Sequence, residues 1–223
     1  MKRIIAALTL ATLFVFPTYA QTVLKEGEII FGAEWQLPPG APEGLNESLP
    51  KEISSFYKGT KTYSKIAIEV MGQETVVRVF MDNDPLQSTL LMDVMGQKFG
   101  IRTSTEDFKK IYDTLKVVFE YLKEYKDIIG YKSQKVMMNN KSTNERSEMW
   151  VTEELTLPAN QYTMYFKGLK GVPLEFNQTQ NGMKIKLIAK KLIEKTLPDD
   201  LFAVPDGYQV ISLEEALKMG FQN

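Results

Sequence analysis

Three short clusters of acidic side chains are the residues of this sequence that could do chemistry. They are Asp82-Asn83-Asp84-Pro85, Glu153-Glu154 and Asp199-Asp200. The first could bind Ca²⁺, and paired carboxylates can act in general acid–base catalysis. The first cluster lacks the glycine and the distant glutamate of a calcium-binding loop, and its residues are turn formers, so we expect a turn. Adjacent acids on a strand face opposite sides of a sheet and are poorly placed to share a substrate.

The sequence contains neither histidine nor cysteine. A Ser-His or Cys-His nucleophile therefore cannot be assembled, and the usual zinc ligands are missing. Any metal would have to be a hard ion held by Asp and Glu oxygens. We therefore expect a protein that is not an enzyme and has no cofactor and no metal site.

The first twenty residues have the order of a secretory signal. Lys2 and Arg3 precede the apolar run Ile4–Phe16, and small residues follow up to Ala20. The run is shorter than the roughly 20 residues that span a bilayer, and no second one occurs. We expect a signal peptide over residues 1–20 and one exported domain over 21–223, periplasmic or secreted, without a transmembrane segment. With no cysteine after the cleavage point, we also expect no lipid anchor.

The charge of the chain argues against nucleic acid as a partner. There are 27 Lys and Arg residues against 28 Asp and Glu, a formal net charge of −1. Cleavage of the signal would remove Lys2 and Arg3 and no acid, leaving −3. Such a chain has no excess of positive charge to attract phosphates.

A first strand and four hairpins are indicated by alternating apolar residues and turn signals. They are Glu28–Trp35, Lys61–Met81 turning at Gly72-Gln73, Gln87–Arg102 turning at Met95-Gly96, Tyr131–Thr152, and Pro173–Leu192 turning at Asn181-Gly182. In the Lys61–Met81 hairpin, the predicted register sets Ile68 opposite Val77, and Ile66 opposite Val79. In the last hairpin it sets Phe176 opposite Leu187. We expect these apolar pairs to face the core.

One long helix is predicted to begin at Ser104, where a hydroxyl cap precedes acids in the first turn. Apolar residues at helical spacing continue to Tyr125 and include Phe119 and Leu122. A helix with such a one-sided apolar stripe must pack on a sheet. Ser212 and Glu215 form a capping box for a short closing helix.

Four motifs in the C-terminal half resemble a known family. In chain order they are Ile129-Gly130-Tyr131-Lys132, Met149-Trp150-Val151-Thr152-Glu153, Val172-Pro173-Leu174-Glu175, and the run from Pro198 to Tyr208. They resemble the DUF4412 family of exported bacterial proteins, which look related in fold to the LolA and LolB lipoprotein carriers. Ser133 stands where compared members of that family often have Cys.

The resemblance implies an α+β fold. The expected architecture is a strongly curved antiparallel β-sheet, a half-open barrel, with one long helix and one or two short helices on its concave side. It also implies a binding fold for acyl chains or other apolar ligands. Because a fold does not determine function, the ligand is an analogy.

Two functions remain open at this point. The first is an extracytoplasmic protein that shelters an apolar ligand, such as a lipid or lipoprotein acyl chain, between sheet and helix. The residues predicted to line its cavity are Ile66, Ile68, Val77, Val79, Phe119, Leu122, Phe176, Ile185 and Leu187. The alternative is an envelope protein with a filled core that contacts another protein or the membrane surface. The oligomeric state stays open.

Overall fold

A computed structural model describes residues 22–41, 44–70, 73–94, 96–157, 166–180 and 183–220. The predicted signal peptide, residues 1–20, lies outside the described residues. Strands dominate this part of the chain, and three short α-helices accompany them. In these ranges, no helix has the length and apolar character needed to cross a bilayer.

The strands include both arms of each predicted hairpin. The strands are β1 Thr22–Val23, β2 Glu26–Gln36, β3 Glu52–Lys58, β4 Lys61–Val70, β5 Gln73–Asn83, β6 Leu86–Val94, β7 Gln97–Thr103, β8 Val117–Ile128, β9 Tyr131–Asn140, β10 Glu145–Thr152, β11 Leu155–Thr156, β12 Val172–Gln180, β13 Met183–Glu194 and β14 Gln209–Ser212. The helices are α1 Leu45–Ser48, α2 Thr105–Thr114 and α3 Leu213–Lys218, with a 3₁₀ helix at Asp199–Phe202.

Twelve of the described strands form one large sheet. Its order is β14-β7-β6-β5-β4-β3-β2-β13-β12-β10-β9-β8, and every pair except the parallel β14–β7 is antiparallel. Among the described residues β14 and β8 each have one neighbour, so the sheet is not closed. The short strands β1 and β11 pair separately in parallel. Each hairpin joins adjacent strands, as the turn signals predict.

The predicted long helix is wrong in its second half. Helix α2 begins after Ser104, whose side chain caps it as predicted and forms a capping box with Asp107, but the helix ends at Thr114. The following residues form strand β8, which pairs with β9. Val117, Phe119 and Tyr121 are half-buried and alternate with the exposed Val118 and Glu120, and branched and aromatic side chains favour a strand. A bulge between Tyr121 and Tyr125 interrupts this alternation, which explains why the spacing also resembles a helix.

The β4–β5 register differs from the predicted one by two residues. Ile66 lies opposite Val77, and Ile68 lies opposite Thr75. An even shift keeps every side chain on its predicted face, so Ile66, Val77 and Val79 still share one side of the sheet. In the last hairpin, Phe176 lies opposite Leu187 as predicted.

The sheet has two faces, and each carries its own apolar cluster. The face that bears Phe31, Phe176 and Leu187, here called the core face, holds the larger cluster. The opposite face is called the strap face, because the C-terminal segment Lys195–Tyr208, the strap, packs on it. Its cluster is Tyr63, Phe80, Leu91, Leu197 and Phe202. The strap therefore also buries apolar side chains on the face of β4 and β5 that lies opposite the predicted apolar pairs.

Charged side chains hold the strap to the sheet. The Lys195 ammonium lies 2.5 Å from a carboxylate oxygen of Glu28, which is only 7% exposed. The Lys58 ammonium donates to the Leu197 carbonyl at 2.5 Å and pairs with Asp199 at 2.8 Å. These contacts position the strap over the aromatic side chains of the second cluster.

The acidic clusters of the sequence have structural roles here. At 82–85 the chain turns, and the Asp84 backbone N–H donates to the Asp82 carboxylate at 3.1 Å. Asp199 pairs with Lys58, and Glu154 accepts from the Lys132 backbone N–H at 3.0 Å. Nowhere in the described ranges do three or more acidic side chains converge as metal ligands.

We predict that Gly171→Ala destabilises the protein by about 3 kcal/mol or more, because a Cβ there would lie 2.4 Å from the Thr152 carbonyl oxygen at φ +89°. Gly130→Ala is the control. Gly130 has φ +86° with nothing near its Cβ position, so we expect a cost of about 1 kcal/mol. Urea denaturation measures both, and equal losses would contradict the proposed clash.

We predict that Glu28→Gln costs about 2 kcal/mol at pH 7 and flattens the pH dependence of stability. Burial raises the pKa of Glu28, but hydrogen bonds from Lys195 and Ser54 outweigh it and hold the pKa below the ordinary 4.5. The stabilisation is therefore present above that value and is lost as pH falls through the lowered pKa.

Urea denaturation between pH 6 and pH 3 tests this pH dependence. Wild type should lose more stability on acidification than Glu28→Gln. The control Glu214→Gln removes an exposed pair with Lys218 and should keep nearly the wild-type slope. An unchanged slope in Glu28→Gln would disprove the assignment.

Candidate apolar ligand face

Two rows of side chains, seven apolar residues and one serine, cross strands β4 to β7 on the core face. Cross-strand register defines them, and together they are called the apolar rows. The first is Ile66, Val77, Met92 and Phe99; the second is Ser64, Val79, Leu90 and Ile101. All eight side chains are half-buried, and none is charged.

The row side chains are more exposed to solvent than the apolar side chains on the strap face of the same strands. There the strap buries Phe80 and Leu91, and Arg78 donates to the Tyr208 hydroxyl at 2.8 Å. The row side chains, by contrast, keep part of their surface in contact with solvent. Contiguous half-exposed apolar surface is a mark of a binding surface.

The rows continue into a fully buried core at the centre of the sheet. Phe176 makes edge-to-face contacts with Phe31 and Phe166, with ring centroids 5.7 and 5.8 Å apart. Leu155 and Leu157 pack on the same cluster from the segment after β10. Ile66 of the first row contacts this cluster, so buried and half-exposed apolar surface are continuous.

The structure brings together most of the residues predicted to line a cavity. Phe176, Ile185 and Leu187 belong to the buried cluster, and Ile66 and Phe119 pack against it.

The remaining predicted residues are spread over β4, β5 and β8. Val77 and Val79 lie in the apolar rows, and Ile68 is in β4 opposite Thr75. Leu122 lies in the β8 bulge, where its carbonyl accepts from the Gln134 side chain at 2.9 Å. Phe119 and Leu122 were predicted on a helix and are on a strand. Whether any of these side chains contacts a ligand stays a prediction.

Five of the eight residues in the apolar rows are absent from the predicted lining: Ser64 and four residues of one hairpin. Leu90, Met92, Phe99 and Ile101 come from the β6–β7 hairpin. Its turn is recognisable in the sequence, but the run Leu90-Leu91-Met92 has no clean alternation. The structure explains the run, because Leu91 is buried on the strap face while its neighbours face the other way.

Hydroxyl side chains adjoin the second row on β3 and β4. Ser55 lies opposite Ser64, and Tyr57 lies opposite Thr62. Tyr57 is 2% exposed, and its hydroxyl has no hydrogen-bond partner among the described residues. Burial, with smaller contributions from Glu194 and Tyr131, raises the pKa of Tyr57 to about 12. The phenol is therefore a neutral donor at physiological pH.

A separate open cleft of about 370 Å³ lies at the starts of α2 and α3. Its lining residues are Arg102, Ser104, Asp107, Val210, Ile211, Ser212 and Glu214. Hydrogen bonds from the Ser104 backbone and side chain lower the pKa of Asp107, and Glu215 caps α3 in the same way. Because these carboxylates already occupy the donors at both helix starts, the cleft is a weaker candidate than the apolar face.

Comparison with known proteins supports the fold alone. No family model matches the chain, and no curated protein matches it, so the resemblance to the DUF4412 family stays a prediction. Two solved structures of PNGF-II, in space groups C2 and P2₁, match 86% of this chain with a TM-score of 0.50 at 15% and 14% identity. The chain spans about a third of their length, 32% and 33%.

A third similar structure is the lipoprotein LppX of Mycobacterium tuberculosis. It matches 78% of this chain and 90% of its own length, with a TM-score of 0.36 and 8% identity. Similarity at that level carries no argument about either fold or function.

We predict that the buried centre and the apolar rows differ in what they contribute to stability. Leu187→Ala should cost about 3 kcal/mol, because it opens a cavity in the buried cluster. Leu90→Ala should cost about 1 kcal/mol, since Leu90 is half-exposed. Chemical denaturation measures both. Equal losses would mean that the rows are as tightly packed as the core.

Proposed function

We propose that this chain is an exported, non-catalytic protein that binds an apolar ligand, such as a lipid or the acyl chain of a lipoprotein. The observation that carries the proposal is the pair of apolar rows, half-exposed and continuous with the buried core. If the row residues served only to fill the core, we would expect them to be buried, as Phe80 and Leu91 are on the other face.

A strongly curved, half-open sheet is part of the proposal, and the connection between β7 and β8 supports it. These strands are ten positions apart in the sheet order, about 48 Å if the sheet were flat. Thr103 and Val117 are joined by α2, about 15 Å long, and a few extended residues, which together reach about 32 Å. A bent sheet would allow this connection to close, which supports the proposed curvature.

Two aromatic hydroxyls support the same curvature. Tyr57 on β3 and Tyr131 on β9 are five strand positions apart, about 24 Å along a flat sheet. Tyr131 nevertheless packs against the buried cluster that contains Tyr57. A bend toward the core face would shorten the separation and allow this packing.

The segment Phe166–Lys170 helps to enclose the core face. The Lys167 ammonium lies 4.7 Å from the Tyr112 ring centroid of α2, and the Lys170 backbone N–H donates to the Tyr121 hydroxyl of β8 at 2.7 Å. Phe166 packs on Phe176. The segment thus ties the helix and the far edge strand to the buried core, and leaves the rows at one side of it.

The size and chemistry of the rows suit an acyl chain. Three strand spacings make each row about 14 Å long, and the two rows are about 7 Å apart. Each methylene buried there would contribute about 0.8 kcal/mol. With no charged side chain in the rows, chain length would determine affinity more than salt concentration would.

The first test is to recover what the protein carries. The full chain is expressed in a bacterial host, the processed protein is purified without detergent, and an organic extract is analysed by mass spectrometry. We expect stoichiometric lipid and saturable uptake of a dansyl fatty acid. No lipid and no uptake would disprove the proposal and favour the envelope interaction protein.

The second test locates binding on the rows. We predict that Val77→Thr/Val79→Thr weakens dansyl fatty acid binding about tenfold, because two hydroxyls replace methyl groups on the contact surface. Val76→Thr is the matched control: Val76 is on the same strand and faces the strap. Circular dichroism checks that all variants are folded. An equal loss of fatty acid affinity in Val77→Thr/Val79→Thr and in Val76→Thr would show that the fatty acid does not bind on the rows.

A further inference from the structure

The buried Tyr57 hydroxyl has no hydrogen-bond partner in the part of the chain that the structure describes. A buried hydroxyl without a hydrogen-bond partner is destabilising. Packing alone therefore does not explain why this position holds a tyrosine. Phenylalanine would fill the same space without that cost. The cluster around Tyr57 includes Ile29, Ile53 and Ile128, so the ring is supported by apolar contacts that need no hydroxyl.

The position of the hydroxyl is set by the backbone of β2. A Cβ added at Gly27 would lie 2.7 Å from the Tyr57 hydroxyl and 2.3 Å from the Ile193 carbonyl oxygen. The phenol therefore reaches over bare backbone where β2 pairs with β13. Glu194, which is exposed, pairs with Gly27, and its Cα lies 3.2 Å from the same Cβ position, so the hydroxyl lies close to the rim of the core face.

The surroundings of the hydroxyl determine what it could bind. Lys58, Lys61 and Lys65 alternate with the core-face residues of β3 and β4 and lie on the strap face. Beside Tyr57, the core face of these strands carries the hydroxyls of Ser55, Thr62 and Ser64. A carboxylate or phosphate would find no described cation on this part of the core face and would be repelled by Glu194. A neutral acceptor has no such penalty.

We infer that Tyr57 donates a hydrogen bond to the polar end of the apolar ligand, and that this end is a neutral carbonyl, as in an ester or amide. This inference rests on the proposed function. The tail would extend from Tyr57 past Ser64, which begins the second row, and along Val79 and Leu90.

We predict opposite effects of Tyr57→Phe on stability and on binding. Without ligand, the variant should be as stable as wild type or more stable in urea, because it removes an unpaired buried hydroxyl. Its affinity for methyl palmitate should fall about fivefold, and its affinity for hexadecane should not change. Both probes are delivered from cyclodextrin and displace a bound dansyl fatty acid.

Tyr63→Phe is the matched control. Tyr63 is a buried tyrosine on β4 whose ring packs between Phe56 and Phe80 on the strap face. Tyr63→Phe should therefore leave the affinities for methyl palmitate and hexadecane unchanged. Equal affinities of Tyr57→Phe and wild type for methyl palmitate would overturn the inference while leaving the proposed function intact. If wild type binds neither probe, the proposed function and this inference both fail.

Discussion

The antiparallel pairing of β2 with β13 is the contact on which the rest of the structure depends. It joins the N-terminal hairpins to the C-terminal ones, residues that are about 150 positions apart in the chain, and lies near the middle of the sheet order. On the core face it sets Phe31 beside Ala189 and Trp35 beside Ile185. Without this pairing the two groups of hairpins would share neither a sheet nor a core. Such long-range contacts are entropically expensive to form and depend on the apolar burial that follows.

Because the central strands are apolar on both sides, each face needs its own cover. The strap covers one face, held by the Glu28–Lys195 and Lys58–Asp199 pairs. The segments around Leu155 and Phe166 cover the other face over its centre. The covers differ in extent, and the apolar rows on β4 to β7 stay half-exposed. The proposed binding surface is thus a consequence of how far each cover reaches.

A group of charged residues forms ion pairs on the side of the sheet that does not bear this surface. Glu175 on β12 is 8% exposed and pairs with Lys126 and Lys186 at 2.5 and 2.9 Å. Burial raises its pKa, but the two lysines outweigh that and lower it. The strap face therefore combines a covered apolar cluster with a network of ion pairs. The apolar rows themselves carry no charged side chain, which suits an apolar ligand.

The sequence by itself determined the hairpins, the Phe176–Leu187 register and both helix starts. Each depends on neighbours in the chain: a turn at Asn181-Gly182, alternation along a strand, or a serine cap three residues before an acid. Much of the candidate surface followed too, since Ile66, Val77 and Val79 share a face whatever the exact register.

Only the tertiary structure decided which apolar residues are covered and which stay open. The stretch from Val117 to Ile128 fits a helix by spacing, and it is a strand because β9 offers an edge to pair with. The roles of Leu90 and Leu91 differ because the strap, a segment more than a hundred residues later, covers one and not the other. The unpaired Tyr57 hydroxyl likewise arises from its packing against Gly27 on a neighbouring strand. Burial is a property of contacts between distant segments, and a local pattern of residue types does not contain it.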